Sequence, residues 1–192
     1  MNSTLKTTLK ILGIILILLA GIIFFLRTTT KTHSPEDTVT FSKEDLELEV
    51  FYNRPYKKDR EIFGELVPYN EVWRTGANEA TTFTTNKDIL VDGSELKAGK
   101  YTLWTIPMEE SWKVIFNSKM YPWGIDLEEK AYRDPDFDAL VIEVPVRISD
   151  KSLEQFTISF EEVNDLVLMI LSWDRTRIEV PIKEKEPSFN GS

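Results

Sequence analysis

From residue 39 onward, apolar and polar side chains alternate with a period of two, a pattern that half-buried β-strands satisfy and helices do not. Leu46, Leu48, Val50 and Tyr52 alternate with Glu47, Glu49 and Phe51. Tyr101, Leu103 and Thr105 oppose Thr102, Trp104 and Ile106. Trp112, Val114 and Phe116 obey the same rule, as do Phe156, Ile158 and Phe160. Leu166 to Trp173 is apolar on both parities, as a central strand covered on both faces would be. Asp92-Gly93 offers the left-handed pair of a type I′ hairpin turn. Ser149-Asp150-Lys151, Asn164-Asp165 and Asp174-Arg175 read as further separators between strands. Pro145 and Pro181 have no N–H to give a ladder, so their strands are expected to be edges or bulged. The stretch from Pro122 to Phe137 lacks a clean period. These signals predict an all-β, antiparallel β-sandwich or jelly-roll-like domain.

The leading segment is different. Ile11 to Leu26 contains no charged, amide or hydroxyl side chain. As a helix it would measure roughly 24 Å, against ~30 Å for the hydrocarbon core of a bilayer. Lys10 and Arg27 flank it with stems long enough to reach an interface. No A-x-A-like cleavage pattern follows, and no cysteine is present to carry a lipid. The run therefore predicts one N-terminal transmembrane helix that contacts the lipid bilayer, with the bulk of the chain periplasmic or extracellular. The resulting division is a cytoplasmic tail at 1–10, an anchor at 11–27, a polar stalk at 28–40, a β domain at 41–183 and a disordered tail at 184–192. The only histidine, His33, falls in the stalk, where nothing would lock its tautomer, so no chemical role is expected of it.

Charge narrows the function. Four of the 23 basic residues and none of the 32 acidic ones lie in the first 31 positions, which leaves the remainder 13 charges negative. Such a surface repels phosphate backbones and argues against nucleic acid as a partner. Without cysteine there are no disulfides, thiolate metal sites or cysteine nucleophiles. Zinc lacks its preferred ligands and serine chemistry lacks a histidine base, so no metal or cofactor is predicted, with an oxygen-only calcium site left open.

Tyr52 to Thr82 is the unusual stretch. Within an acidic domain it concentrates Arg54, Lys57, Lys58, Arg60 and Arg74 among Tyr52, Tyr56, Tyr69 and Trp73. Guanidinium groups beside aromatic faces suit carboxylates, phosphates and sugar rings. The same arginines can equally pair with the domain's acids and brace loops. In Trp73-Arg74-Thr75-Gly76-Ala77-Asn78-Glu79, small residues permit close backbone approach beside a donor fork, an amide and a carboxylate. Asn78 can instead close an Asx-turn, and Glu79 can pair with Arg74.

Here the chain resembles the bacterial family known as domain of unknown function 2911. The resemblance rests on Tyr52, Arg54-Pro55, Arg60 to Tyr69 and Val72 to Thr81. A second block runs from Ala98-Gly99 and Tyr101 through Thr105-Ile106-Pro107, Trp112, Ile115-Phe116-Asn117 and Trp123-Gly124. Asp59 and Asn70 stand where that family more often shows glycine; both residue types tolerate left-handed backbone, so the turns are expected to survive. The resemblance implies an exported all-β domain and assigns no catalytic residue.

Three functions compete on these residues. The first is an envelope module that binds a glycan or small anion, with Arg54, Arg60, Arg74, Asn78 and Glu79 as polar contacts and Trp104 or Trp123 as a stacking platform. The second is a structural partner, which a large exposed apolar patch would favour. The third is a hydrolase pairing Glu79 with Asp126 or Glu65, a chemistry that needs the two carboxylates roughly 5–10 Å apart.

Overall fold

The computed structural model describes residues 3–126, 128 and 130–185, leaving aside the side chains of residues 3–7, 23, 24, 26–28 and 30. A helix, α1 (Ser3–His33), precedes a β body of strands β1 (Glu36–Lys43), β2 (Leu46–Asn53), β3 (Thr82–Thr85), β4 (Ile89–Val91), β5 (Ser94–Leu96), β6 (Gly99–Pro107), β7 (Ser111–Asn117), β8 (Asp138–Val163) and β9 (Leu166–Glu184). All pairings are antiparallel, and the order is β1-β2-β3-β6-β7-β8-β9-β4-β5.

That order corrects one expectation. A sandwich of two stacked sheets is not confirmed, because the strands form one continuous nine-stranded sheet. The cause lies in β8 and β9, which are far longer than the turn signals allowed. Ser149-Asp150-Lys151 and Asp174 do not separate strands; they sit where the β8–β9 register shifts, between Ile148 and Leu153 and between Leu153 and Thr157. Asp174 is left-handed there, with φ 50°. Bulges bend and twist a strand without ending it. The bent sheet folds back on itself, so that the Tyr52 hydroxyl on β2 accepts from the Ile158 N–H (3.0 Å) and donates to the Ile158 carbonyl (3.3 Å) on β8.

The prolines fall at matching places. β8 pairs with β7 up to Ser111↔Pro145 and with β9 from Val146↔Ile178 onward. β9 leaves β8 after Ile178 and meets β4 at Ile182, with Pro181 in the gap. Each ring thus sits where one ladder ends and the next begins. Neither strand is an edge; the missing donor is tolerated because that backbone position changes partners.

The second correction concerns the N-terminus. Among the described residues no helix is long and apolar enough to cross a membrane, so the expected transmembrane helix at 11–27 is not supported. The described apolar side chains of α1, from Leu9 to Leu19, stand exposed. The expected stalk is also ordinary structure: α1 continues to His33, and Glu36–Lys43 pairs with β2 along its whole length. Ser34 between them is buried. The C-terminal tail expected at 184–192 lies outside the described residues from 186 onward.

The larger of two apolar clusters runs from Leu46, Leu48 and Val50 on β2 to Ile178, Val180 and Ile182 on β9, and a smaller one gathers Ala80, Trp104, Ile115 and Tyr121. At one end of the larger cluster Phe63, Trp73, Trp112, Phe156 and Trp173 pack edge to face, with Phe63 4.7 Å from Trp112 and Trp73 5.0 Å from Phe156 between ring centres. Trp73 and Trp173 lie nearly parallel, 6.1 Å apart. Such pairs add about 0.5–1.5 kcal/mol each beyond their buried area. This aromatic end supports the site.

Candidate functional site

Between β2 and β3 the chain makes a long excursion, Arg54 to Thr81, that stays irregular yet is pinned at every turn. The first turn is Lys57-Lys58-Asp59-Arg60. The Lys57 carbonyl accepts from the Arg60 N–H at 3.2 Å, and Lys58 (φ 51°) and Asp59 (φ 56°) are both left-handed, which makes it a type I′ turn. Asp59 and Asn70 (φ 64°) thus hold the backbone that the glycine substitutions implied. Two contacts fix the turn to the sheet: Lys57 Nζ meets Asp174 at 2.6 Å, and the Lys58 N–H donates to Glu154 Oε1 at 3.0 Å. Partial burial pushes the Asp174 carboxyl up, but the bonds it accepts from Lys57 and Ser152 outweigh that and hold it below the ordinary carboxylate range.

Further along, Trp73 exchanges backbone hydrogen bonds with Thr105 of β6, at 2.7 and 3.0 Å. Its indole Nε1 donates to the Gly76 carbonyl at 3.2 Å. Thr75 follows at φ 56°, a conformation that β-branched residues seldom adopt. It is fully buried, and its hydroxyl lies 3.1 Å from that of Thr105. Strain of this kind persists only where surroundings enforce it. Here it turns the chain so that Arg74, before it, serves the cleft while Asn78 and Glu79, beyond Gly76 and Ala77, serve a different surface.

After Thr75, Gly76 and Ala77 still border the cleft, and Asn78 and Glu79 face inward. Gly76, at φ 150°, lies so near β2 that an added Cβ would sit 3.0 Å from the Asn53 carbonyl. Asn78 donates to the Ser34 carbonyl (3.2 Å) and to Asn53 Oδ1 (3.4 Å), while the fully buried Asn53 donates to Glu79 Oε2 (3.2 Å). Glu79 pairs with Asn53 rather than with Arg74. This polar clasp joins the end of α1 to β2. Arg54 belongs with it, bonded to Asp37 (3.1 Å), the Phe156 carbonyl (3.3 Å) and Thr157 Oγ1 (3.1 Å).

Before Thr75 the chain faces a cleft of about 870 Å³. Among the described lining residues the basic ones are His33, Lys58, Arg60, Arg74 and Lys130, and Glu71 is the one carboxylate. Trp73 and Trp173 carry the aromatic cluster up to its wall, and Leu66, Val72, Ile125 and Ala131 add apolar surface. Arg60 is held in one orientation, with Nε donating to the Lys57 carbonyl at 2.9 Å and Nη2 to the Tyr56 carbonyl. Arg74 Nη1 donates to the Trp123 carbonyl at 3.3 Å. The His33 imidazole lies at the cleft with Nδ1 2.9 Å from the Thr29 carbonyl, a contact in which Nδ1 must carry the proton.

Of the seven residues singled out in the sequence, the structure brings Arg60 and Arg74 to the cleft and Arg54, Asn78 and Glu79 to the clasp. Trp104 is fully buried with Nε1 bonded to Thr102 Oγ1 (3.0 Å), so its ring has no open face. Trp123 is exposed but does not line the cleft. The carboxylates weighed for hydrolysis do not gather there either: Asp126 accepts from the N–H groups of Glu128 and Lys130, and Glu65 is exposed elsewhere. Among the described residues no group of three or more His, Asp or Glu is placed to hold a metal ion. Sequence reasoning missed Lys58, Lys130, Trp173 and His33. Lys58 alone carried a readable signal, as one of the basic residues of the unusual stretch.

Fold and site together define an antiparallel β domain with a cation-lined cleft backed by aromatic rings. The chain belongs to the family described as "Protein of unknown function (DUF2911)", whose model matches residues 34–182. The match opens at Ser34, the residue after α1. Comparison with curated proteins and with solved structures gives no match.

Proposed function

We propose that this protein is a binding module whose cleft takes a small organic molecule or a short glycan. The observation that carries the reading is the cleft itself: its volume falls within the few-hundred to ~1,000 Å³ range of small-ligand sites, and polar side chains converge on an apolar, aromatic wall. Strained backbone at Thr75 beside it fits a site that the fold holds ready. The reading extends to an extracytoplasmic setting, supported by the apolar run between Lys10 and Arg27 and checked by protease access to the body in intact cells.

A thermal-shift screen of sugars and small organic acids, alcohols and amides tests the cleft. Ligands that raise the melting temperature of the natural protein should have no effect on Ala77→Phe, which fills the cleft from a half-buried lining position. Shifts that persist unchanged in a folded Ala77→Phe protein would move the binding elsewhere.

A further inference from the structure

We infer that the ligand of this cleft is an organic anion, its carboxylate or phosphate gripped at the rim by Lys58 and Arg60. The inference rests on the reading of the cleft as a ligand site and adds the chemical class.

Three observations carry it. First, the domain is acidic and neutralises many of its cations internally: Arg54 meets Asp37, Lys57 meets Asp174, Lys119 meets Asp134 and Arg133 meets Asp138. Among the described residues, neither Lys58 nor Arg60 has a carboxylate within ion-pair distance; Arg60 is held by main-chain carbonyls alone. Second, the turn between them is strained in order to present them. Lys58 is left-handed, a conformation unfavourable for a residue with a Cβ, and the turn is tied down on both sides by Asp174 and Glu154. Third, Arg60 spends Nε and Nη2 on carbonyls of its own loop, which leaves Nη1 to donate to an incoming oxygen from a fixed guanidinium plane.

The surrounding negative charge does not cancel this. At physiological salt charges beyond ~8 Å are largely screened, and the near carboxylates, Glu71 in the lining and Glu154 on the Lys58 N–H, pair with neither the Lys58 nor the Arg60 side chain. A neutral sugar would leave both cations with nothing to neutralise. An anion with a flat or apolar body uses both halves of the cleft: charge to the rim, body to the wall of Trp73, Val72 and Ala131.

Calorimetric titration of the full chain with naphthoate, naphthyl phosphate and naphthamide tests the assignment, because the three share a body and differ in charge. One or both anions should bind at least about tenfold more tightly than the amide, as charge-assisted bonds outweigh neutral ones. Which anion leads separates a carboxylate ligand from a phosphate ligand. In the charge-removing double variant Lys58→Gln, Arg60→Gln the preference should fall to within about threefold while amide binding persists. Equal binding of all three by the natural protein, or a preference unchanged in the double variant, overturns the anion assignment and leaves the cleft as a ligand site. Failure of all three probes to bind removes the cleft reading, and the anion assignment with it.

Discussion

Two polar groupings lie within the same thirty-odd residues, and they have opposite characters. In the clasp, Asn53, Arg54, Asn78 and Glu79 satisfy one another and the main chain, and Asn53 is completely sealed. In the cleft, the exposed side chains of Lys58 and Arg60 have no acidic partner among the described residues. The presence of arginine and carboxylate does not distinguish them, since the clasp holds Arg54 and Glu79 and the cleft lining holds Arg60 and Glu71. Partnership does. Buried polar groups that satisfy each other stabilise a fold, whereas exposed charges without partners are available to something else.

The comparison breaks most sharply at Gly76. Gly76→Val places side-chain atoms against the Asn53 carbonyl and Thr81 Oγ1, at a φ that valine rarely adopts. A loss of about 3 kcal/mol or more is expected from strain and overpacking, visible as a fall in the denaturant midpoint. A loss under 1 kcal/mol would show the clasp to be slack.

Tyr52→Phe is the next largest. It leaves the Ile158 N–H without its hydroxyl acceptor and should cost about 1–2 kcal/mol. It should also change the alkaline limb of stability. Burial raises the Tyr52 pKa above its ordinary value of 10.0, against the opposing effects of the Ile158 backbone bond and Arg54. The folded state therefore keeps a proton that the unfolded chain releases. Stability from this source is whole below pH 10 and declines as pH rises through and beyond that value, and the decline should be shallower in Tyr52→Phe. Unfolding titrations across the alkaline range would show it; identical slopes would contradict the buried hydroxyl.

The smallest effect belongs to the cleft. Asp59→Gly relieves a left-handed residue and should stabilise the protein by about 0.5–1 kcal/mol, partly offset by glycine's larger unfolded-state entropy. Because Asp59 is exposed and is not among the cleft-lining residues, affinity for any cleft ligand should stay within about twofold. Destabilisation would mean that the turn relies on the Asp59 side chain.

Much of this was legible along the chain. The alternation of β2, β6 and β7 reads directly, as does the Asp92-Gly93 hairpin, where Val91 pairs with Ser94 across residues at φ 48° and 78°. The left-handed turns at Asp59 and Asn70 follow from residue chemistry and the family pattern. The prolines allowed bulged strands, but the place of the bulges was not legible, because Ser149-Asp150-Lys151 and Asp174 have the composition of turns, and only the partner strand decides whether the chain reverses or bends. The site was half legible. Composition marked the stretch that holds Lys58, Arg60 and Arg74, but not that Trp173 and His33 converge on it from opposite ends of the sequence. Nor could it say that one left-handed threonine would send Arg74 outward and Asn78 inward.

Pro145 and Pro181 have a consequence for how the body assembles. A strand that serves two neighbours in turn invites competition, since either neighbour gains by zipping further along it. Both strands change neighbours at a ring that cannot donate, so neither zipper can run past its stop at the other's expense. The point at which each of these strands passes from one neighbour to the next is thereby written into the covalent structure of two side chains.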